Sequence, residues 1–216
     1  MARGTDFGGV HSHRDLHLIQ QKVDVQPAEP KLNLIDIPGA DGSKDISELL
    51  GGRLFYKDRA VTWTFALYPG ENWDEKHRQV SNALNGKRCK ITLDTDPGYY
   101  FTGRLIVKKY NTDKALRQIT VEATCSPWLL KQEPTTVTKA LSADFTAIHL
   151  PNEKKPAIPT IETTVPATIR WNNATIDVPA GSFSSLNIEL QEGDNLLEAL
   201  SADGGTITVI YQEGSL

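Results

Sequence analysis

The 216-residue sequence predicts a mainly β protein of two domains. Three observations carry that reading. Apolar and polar residues alternate through most of the chain, turn residues interrupt the alternation every ten residues or so, and one segment alone has the spacing and caps of a helix. The N-terminal part reads as a β-sandwich-like domain with one α-helix and a β-hairpin, and the C-terminal part as a β-sandwich or jelly roll of about 80 residues.

The N-terminal domain turns on the segment from Leu32 to Leu67. An apolar strand runs into the abrupt turn Ile37-Pro38-Gly39-Ala40-Asp41-Gly42, a polar bridge follows, and then comes the alternating strand Ala60-Val61-Thr62-Trp63-Thr64-Phe65-Ala66-Leu67. Pro38, Gly39, Asp41 and Gly42 are turn formers, and nothing in the segment is suited to activating a nucleophile or holding a metal. The helix runs from Trp73 to Asn85. Asn72 caps it, Glu75 stands where a capping box needs it, and Gly86 closes it. Trp73, His77, Val80 and Leu84 recur at helical spacing beside Ala83, so this face lies on a sheet. A strand from Arg88 to Leu93 is expected to turn at Asp94-Thr95-Asp96-Pro97-Gly98 into Tyr99 to Tyr110. Asn111-Thr112-Asp113-Lys114 then leads into a third strand, Leu116 to Cys125.

After Ser126-Pro127-Trp128 the texture changes. Lys131-Gln132-Glu133-Pro134 is polar, and Pro151, Pro156, Pro159 and Pro166 interrupt the chain, so strands here are expected at edges or separated by linkers. The domains are drawn at 1–130 and 131–216. In the second, Ala167, Ile169 and Trp171 share a face, Asn172-Asn173 turns, and Ala174, Ile176 and Val178 follow. Leu186, Ile188 and Leu190 alternate as a further strand, Glu192-Gly193-Asp194-Asn195 and Ala202-Asp203-Gly204-Gly205 turn, and Ile207, Val209 and Tyr211 close the domain.

Composition narrows the function. With 39% hydrophobic and 23% charged residues the chain reads as an ordinary globular protein, and a formal net charge of −4 gives no field for a phosphate backbone, so specific nucleic-acid binding is not expected. The start lacks the apolar core of a signal peptide and no run is long enough to span a bilayer, so no membrane is expected and synthesis in the cytosol is. Cys89 and Cys125 fall on apolar strand positions and read as buried thiols.

Each candidate for chemistry has a blander account. His11, His13 and His17 are the nearest approach to a metal cluster, but no local carboxylate or thiolate converges on them. Asp41 to Asp45 and Asp94 to Asp96 lack the twelve-residue ligand spacing of a calcium loop and read as Asx-type turns. Glu71 with Asp74, and Glu189 with Glu192, pair carboxylates in sequence without implying a shared cleft. No nucleophile elbow or phosphate loop is present, so no catalytic residue, metal or cofactor is assigned. Trp171, Asn172 and Tyr211 offer stacking and hydrogen bonds to a sugar. Parity, however, puts Trp171 with Ala167 and Ile169 as a core residue.

In their order along the chain these features resemble the distal tail protein family of long-tailed bacteriophages. The resemblance rests on the Ile37 to Gly42 turn, the aromatic strand Val61-Thr62-Trp63-Thr64-Phe65, the helix before Arg88-Cys89-Lys90-Ile91, the hairpin around Pro97-Gly98, and the ending Cys125-Ser126-Pro127-Trp128. Glu192 to Asn195 and Gly204-Gly205-Thr206-Ile207-Thr208-Val209-Ile210-Tyr211 look like the closing strands of that family's galectin-like jelly roll. Ala40 departs from the larger or charged residue that relatives often carry. The resemblance implies a non-enzymatic homo-hexameric ring at the virion tail tip. It would join the tail tube protein to the tail-tip hub protein and in some relatives carry a receptor-binding protein, with the first domain building the ring and the second outside it. The alternative is a carbohydrate-binding module for host-wall attachment, and a tail-associated wall hydrolase is a third class with no residues to support it.

Overall fold

The computed structural model describes residues 4–49 and 51–216. The chain divides into two units, Met1–Leu129 and Leu130–Leu216.

The first unit is built on β1 (Thr5–Phe7), β2 (Leu18–Val25), β3 (Leu34–Asp36), β4 (Ser43–Asp45), β5 (Arg59–Leu67), α1 (Trp73–Leu84), β6 (Arg88–Leu93), β7 (Asp96–Val107), α2 (Asn111–Leu116) and β8 (Gln118–Cys125). Six of these strands form an antiparallel sheet in the order β1-β6-β7-β8-β5-β2, while β3 and β4 pair apart from it. Period-two alternation decides which face is buried. On β5 the side chains of Val61, Trp63, Phe65 and Leu67 point into the core, and Ile119, Val121, Ala123 and Cys125 join them from β8. Phe7 meets Trp63 edge to face at 5.1 Å.

Helix α1 covers this face with Trp73, Val80 and Leu84. Its start is fixed as the sequence implies: the Asn72 side chain accepts the Glu75 N–H at 3.2 Å, and Asp74 and Glu75 face the positive helix end. Gly86 follows at φ +79°, a left-handed position that glycine occupies without strain. The Trp73 indole N–H donates to the Gln118 carbonyl, which anchors the helix to β8.

Strand β9 (Leu129–Lys131) spans the boundary, and the second unit contains β10 (Thr135–Ala140), β11 (Thr146–Asn152), β12 (Thr160–Thr163), β13 (Ala167–Trp171), β14 (Ala174–Val178), β15 (Gly181–Ser184), β16 (Gly193–Leu200), β17 (Thr206–Tyr211) and β18 (Gly214–Ser215). Two four-stranded sheets run β10-β17-β12-β15 and β11-β16-β13-β14, the interleaved order of a jelly roll. Ile161, Ile207 and Val209 from one sheet meet Ile148, Leu150, Ile169 and Leu197 from the other. Pro151 lies on β11, an edge strand, where its missing N–H breaks no ladder. Asn172 and Asn173 join β13 to β14 at φ 46° and 65°, the left-handed pair a tight hairpin needs. The ends of the unit are tied by Glu213, which is buried. Its carboxylate takes Lys131 Nζ at 2.8 Å, the Thr135 hydroxyl, and the Glu153 N–H at 3.1 Å.

Four local expectations need correction. The link at Asn111 to Lys114 is the first part of a second helix, α2, ended by Arg117 at φ 54°, so β8 starts at Gln118 and not at Leu116. The β6–β7 turn is Asp94-Thr95, with Pro97 and Gly98 already inside β7. The turn is drawn there because the Asp94 carboxylate accepts the Gly4 N–H at 2.8 Å and pairs with His11. Leu186, Ile188 and Leu190 do not form a strand. Ile188 and Leu190 are buried from an irregular segment while Leu186 is 84% exposed at a turn. Cys89 is half-buried, with only Cys125 fully inside.

Candidate assembly surface

Between β2 and β5 the chain leaves the sheet as an arm, residues 30–57. Its root is closed by antiparallel pairing of Pro30 with Tyr56, with Lys31 N–H donating to Phe55 O at 2.7 Å and Lys57 N–H to Glu29 O at 2.8 Å. Further out, β3 and β4 pair in the register Leu34 to Asp45, Ile35 to Lys44 and Asp36 to Ser43. Side chains stiffen the hairpin, since Ser43 Oγ donates to Asp36 at 2.6 Å and Ser47 Oγ to Asp45 at 2.5 Å. The Asp45 carboxyl is held below its usual range by these Ser47 bonds.

The turn residues sit at the tip. Ala40 N–H donates to Ile37 O at 3.1 Å, closing a turn in which Pro38 presets one torsion. Gly39 and Gly42 take φ +84° and +72°, and a side chain at either would meet no atom within 4 Å. Glycine is therefore needed there for backbone conformation and not for space.

The apolar residues of the arm face outward. Leu32, Leu34, Ile35, Ile37, Leu49 and Phe55 are between 42% and 74% exposed, and both arm strands are exposed at every position. Leu32, Leu49 and Leu54 line a shallow cavity of about 460 Å³ with Ile46. A lone two-stranded hairpin is marginal in water, and a contiguous exposed apolar patch marks a surface made to be covered. The arm has the exposed apolar composition of an interface.

The other candidates are engaged locally. His11 is buried and uses both ring nitrogens: Nδ1 accepts the His13 and Arg14 N–H groups at 3.2 and 3.1 Å, so Nε2 carries the proton and donates to Asp94 at 3.2 Å. His13 meets the Tyr68 hydroxyl at 3.1 Å, and His17 lies at φ 50°. Among the described residues no three His, Cys, Asp or Glu side chains gather as a metal site would require. Glu71 pairs with Lys76, Asp74 with Lys114, and Glu192 with Lys154. Burial pushes the Cys125 thiol up to about 12, and burial also raises Cys89. Among the described residues no helix is long and apolar enough to cross a membrane.

The three residues considered for a sugar do not converge. Trp171 and Tyr211 are 7% and 2% exposed in the core, on different sheets, and the Tyr211 hydroxyl donates to Pro151 O. Burial, with Glu213 nearby, pushes that hydroxyl up to about 12. Asn172 is exposed at the β13–β14 turn. The exposed apolar arm was legible only as an apolar strand; the signal for its exposure was that Leu32 and Leu34 fall on one parity and Ile35 and Ile37 on the other, so no single core face accommodates them.

No protein-family model and no curated protein sequence matches the chain. Among solved structures, it is similar to the SPP1 Dit (gp 19.1) protein, described as a paradigm of the hub adsorption apparatus in phages infecting Gram-positive hosts. The match has a TM-score of 0.67 at 12% identity and covers 100% of both chains. A de novo designed double-stranded β-helix aligns over 39% of the chain at a TM-score of 0.26. The chain thus has the mainly β, Dit-like fold from end to end.

Proposed function

We propose that the protein is a non-enzymatic structural subunit of a phage tail tip. Six copies form a ring at the distal end of the tail, joining the tail tube protein to the tail-tip hub and adsorption apparatus, with the first unit building the ring and the galectin-like second unit outside it, where a receptor-binding protein attaches. The observation that carries this reading is the full-length likeness to a hub adsorption protein, which covers both units in the same order along the chain. The arm supports it physically. Its exposed apolar side chains need a cover that the chain itself does not provide, and a closed ring of head-to-tail contacts supplies one to every copy.

Electron microscopy of the purified chain, with light-scattering mass, tests the proposal. The expected result is a six-fold ring at six times the 23.8 kDa chain mass. A chain that stays monomeric at high concentration, and forms no ring beside its tail partners, overturns it.

A further inference from the structure

At the root of the arm, the outward face of the first unit's sheet carries a groove of about 380 Å³ lined by Asp58, Arg88, Thr102, Arg104, Thr124 and Ser126. Arg88 and Arg104 are directly opposed in the β6–β7 register. Like charges facing each other across a ladder destabilise it unless an anion lies between or above them. Arg104 Nη1 donates to Gly86 O at 2.7 Å, which leaves its other donors for a ligand, and Arg88 has no partner among the described residues. Asp58 is the one acid in the lining and the two guanidinium groups outweigh it, so with three hydroxyl side chains beside them they form a site for carboxylate oxygens, the acceptors whose geometry arginine matches best.

The same chain carries a complementary surface. Residues 32–49 of the arm contain Asp36, Asp41, Asp45 and Glu48 against the single base Lys44, a net charge of −3. Asp36 and Asp45 are occupied by Ser43 and Ser47, whereas Asp41 and Glu48 are exposed and have no partner among the described residues. No bond joins these acids to Arg88 or Arg104 within one chain among the described residues.

We infer that the acidic, apolar outer arm of one copy, residues 32–49, docks against the Arg88–Arg104 groove at the arm root of the next copy. This rests on the ring reading above and gives it a contact. The outer arm and the groove are two different surfaces on every subunit, the condition for a head-to-tail contact that closes on itself. The apolar side chains supply burial, and the carboxylates fix which surface is chosen and in what register.

Complementary charge reversal of the full chain tests this. One variant carries Arg88→Glu with Arg104→Glu, so both its groove and its arm are negative; the other carries Asp41→Arg with Glu48→Arg, so both are positive. Each alone should lose self-association about 100-fold, and an equimolar mixture should recover to within about tenfold of wild type as rings of alternating copies. Either variant assembling like wild type, or a mixture no better than its parts, overturns the inference. A wild-type ring alongside unaffected variants removes the docking site and leaves the ring; a wild-type chain that never assembles removes both. A second measurement does not depend on the variants: raising salt from about 0.05 to 0.5 M should weaken wild-type assembly about tenfold, and salt-indifferent assembly contradicts the contact.

Discussion

The arm and strand β5 are neighbours in sequence, both carry large apolar side chains, and their fates are opposite. On β5, Val61, Trp63 and Phe65 alternate with threonines and are wholly buried. On the arm, Leu34, Ile35 and Ile37 occupy both parities of a short hairpin and are about half exposed or more. The difference is one of partners. Strand β5, inside the sheet between β8 and β2, has a neighbour on each edge and a helix on one face, whereas the arm strands have only each other. An apolar pattern that finds its cover inside the chain reports on folding; one that does not reports on assembly.

The comparison can be broken from either side. The largest effect is expected at the core: Trp63→Ala should cost about 3–5 kcal/mol of stability, read from a denaturant midpoint, because a large cavity opens against Phe7 and Phe65. The arm should behave in reverse. Leu34→Asp with Ile37→Asp should change chain stability by about 0.5 kcal/mol or less but weaken assembly about 100-fold, or about 2.7 kcal/mol, in sedimentation. If that variant unfolds instead, the arm is a folding element and the contrast fails.

Smaller effects sharpen the same line. Gly39→Val should cost about 1–2 kcal/mol of local strain, since φ +84° disfavours a branched side chain although no atom obstructs it. It should disturb the arm, and hence assembly, more than the melting of the sheet. Glu213→Gln should cost about 1 kcal/mol in the second unit, where Lys131 and Thr135 hold the carboxylate, and leave assembly unchanged. Burial works to raise the Glu213 pKa, but its bonds to Lys131 and Thr135 prevail and the net shift is downward. Its stabilising contribution is therefore complete above the ordinary glutamate value of 4.5 and lost as pH falls through the lower folded value. A wild-type melting temperature that drops below pH 4.5 more steeply than that of Glu213→Gln checks the sign.

Features set by adjacent residues were legible in the sequence. The α1 cap at Asn72, the closing Gly86, the Asn172-Asn173 turn and the inward rings of β5 all follow from side chains and torsions within a few residues. The features that escaped depend on distant partners. The β6–β7 turn moved to Asp94 because residues from the start of the chain, Gly4 and His11, claim its carboxylate, so the local preference of Pro97-Gly98 for a turn did not decide. Helix α2 is too short for a periodic signal, and the Leu186 to Leu190 alternation describes a segment that forms no strand, paired only by a single bridge between Leu190 and Ala157. For the candidate surface, the turn residues were visible and the exposed apolar face was not. Exposure is a property of what is missing around a residue, and alternation cannot report it.

Hydrogen exchange on the full chain, above and below its assembly concentration, tests most directly whether a second copy completes the arm. The account predicts that amides of residues 31–57 become at least about tenfold more protected on assembly, while those of β5 and the jelly-roll core stay as they were. An assembled ring whose arm exchanges as fast as in the separate chain would contradict it.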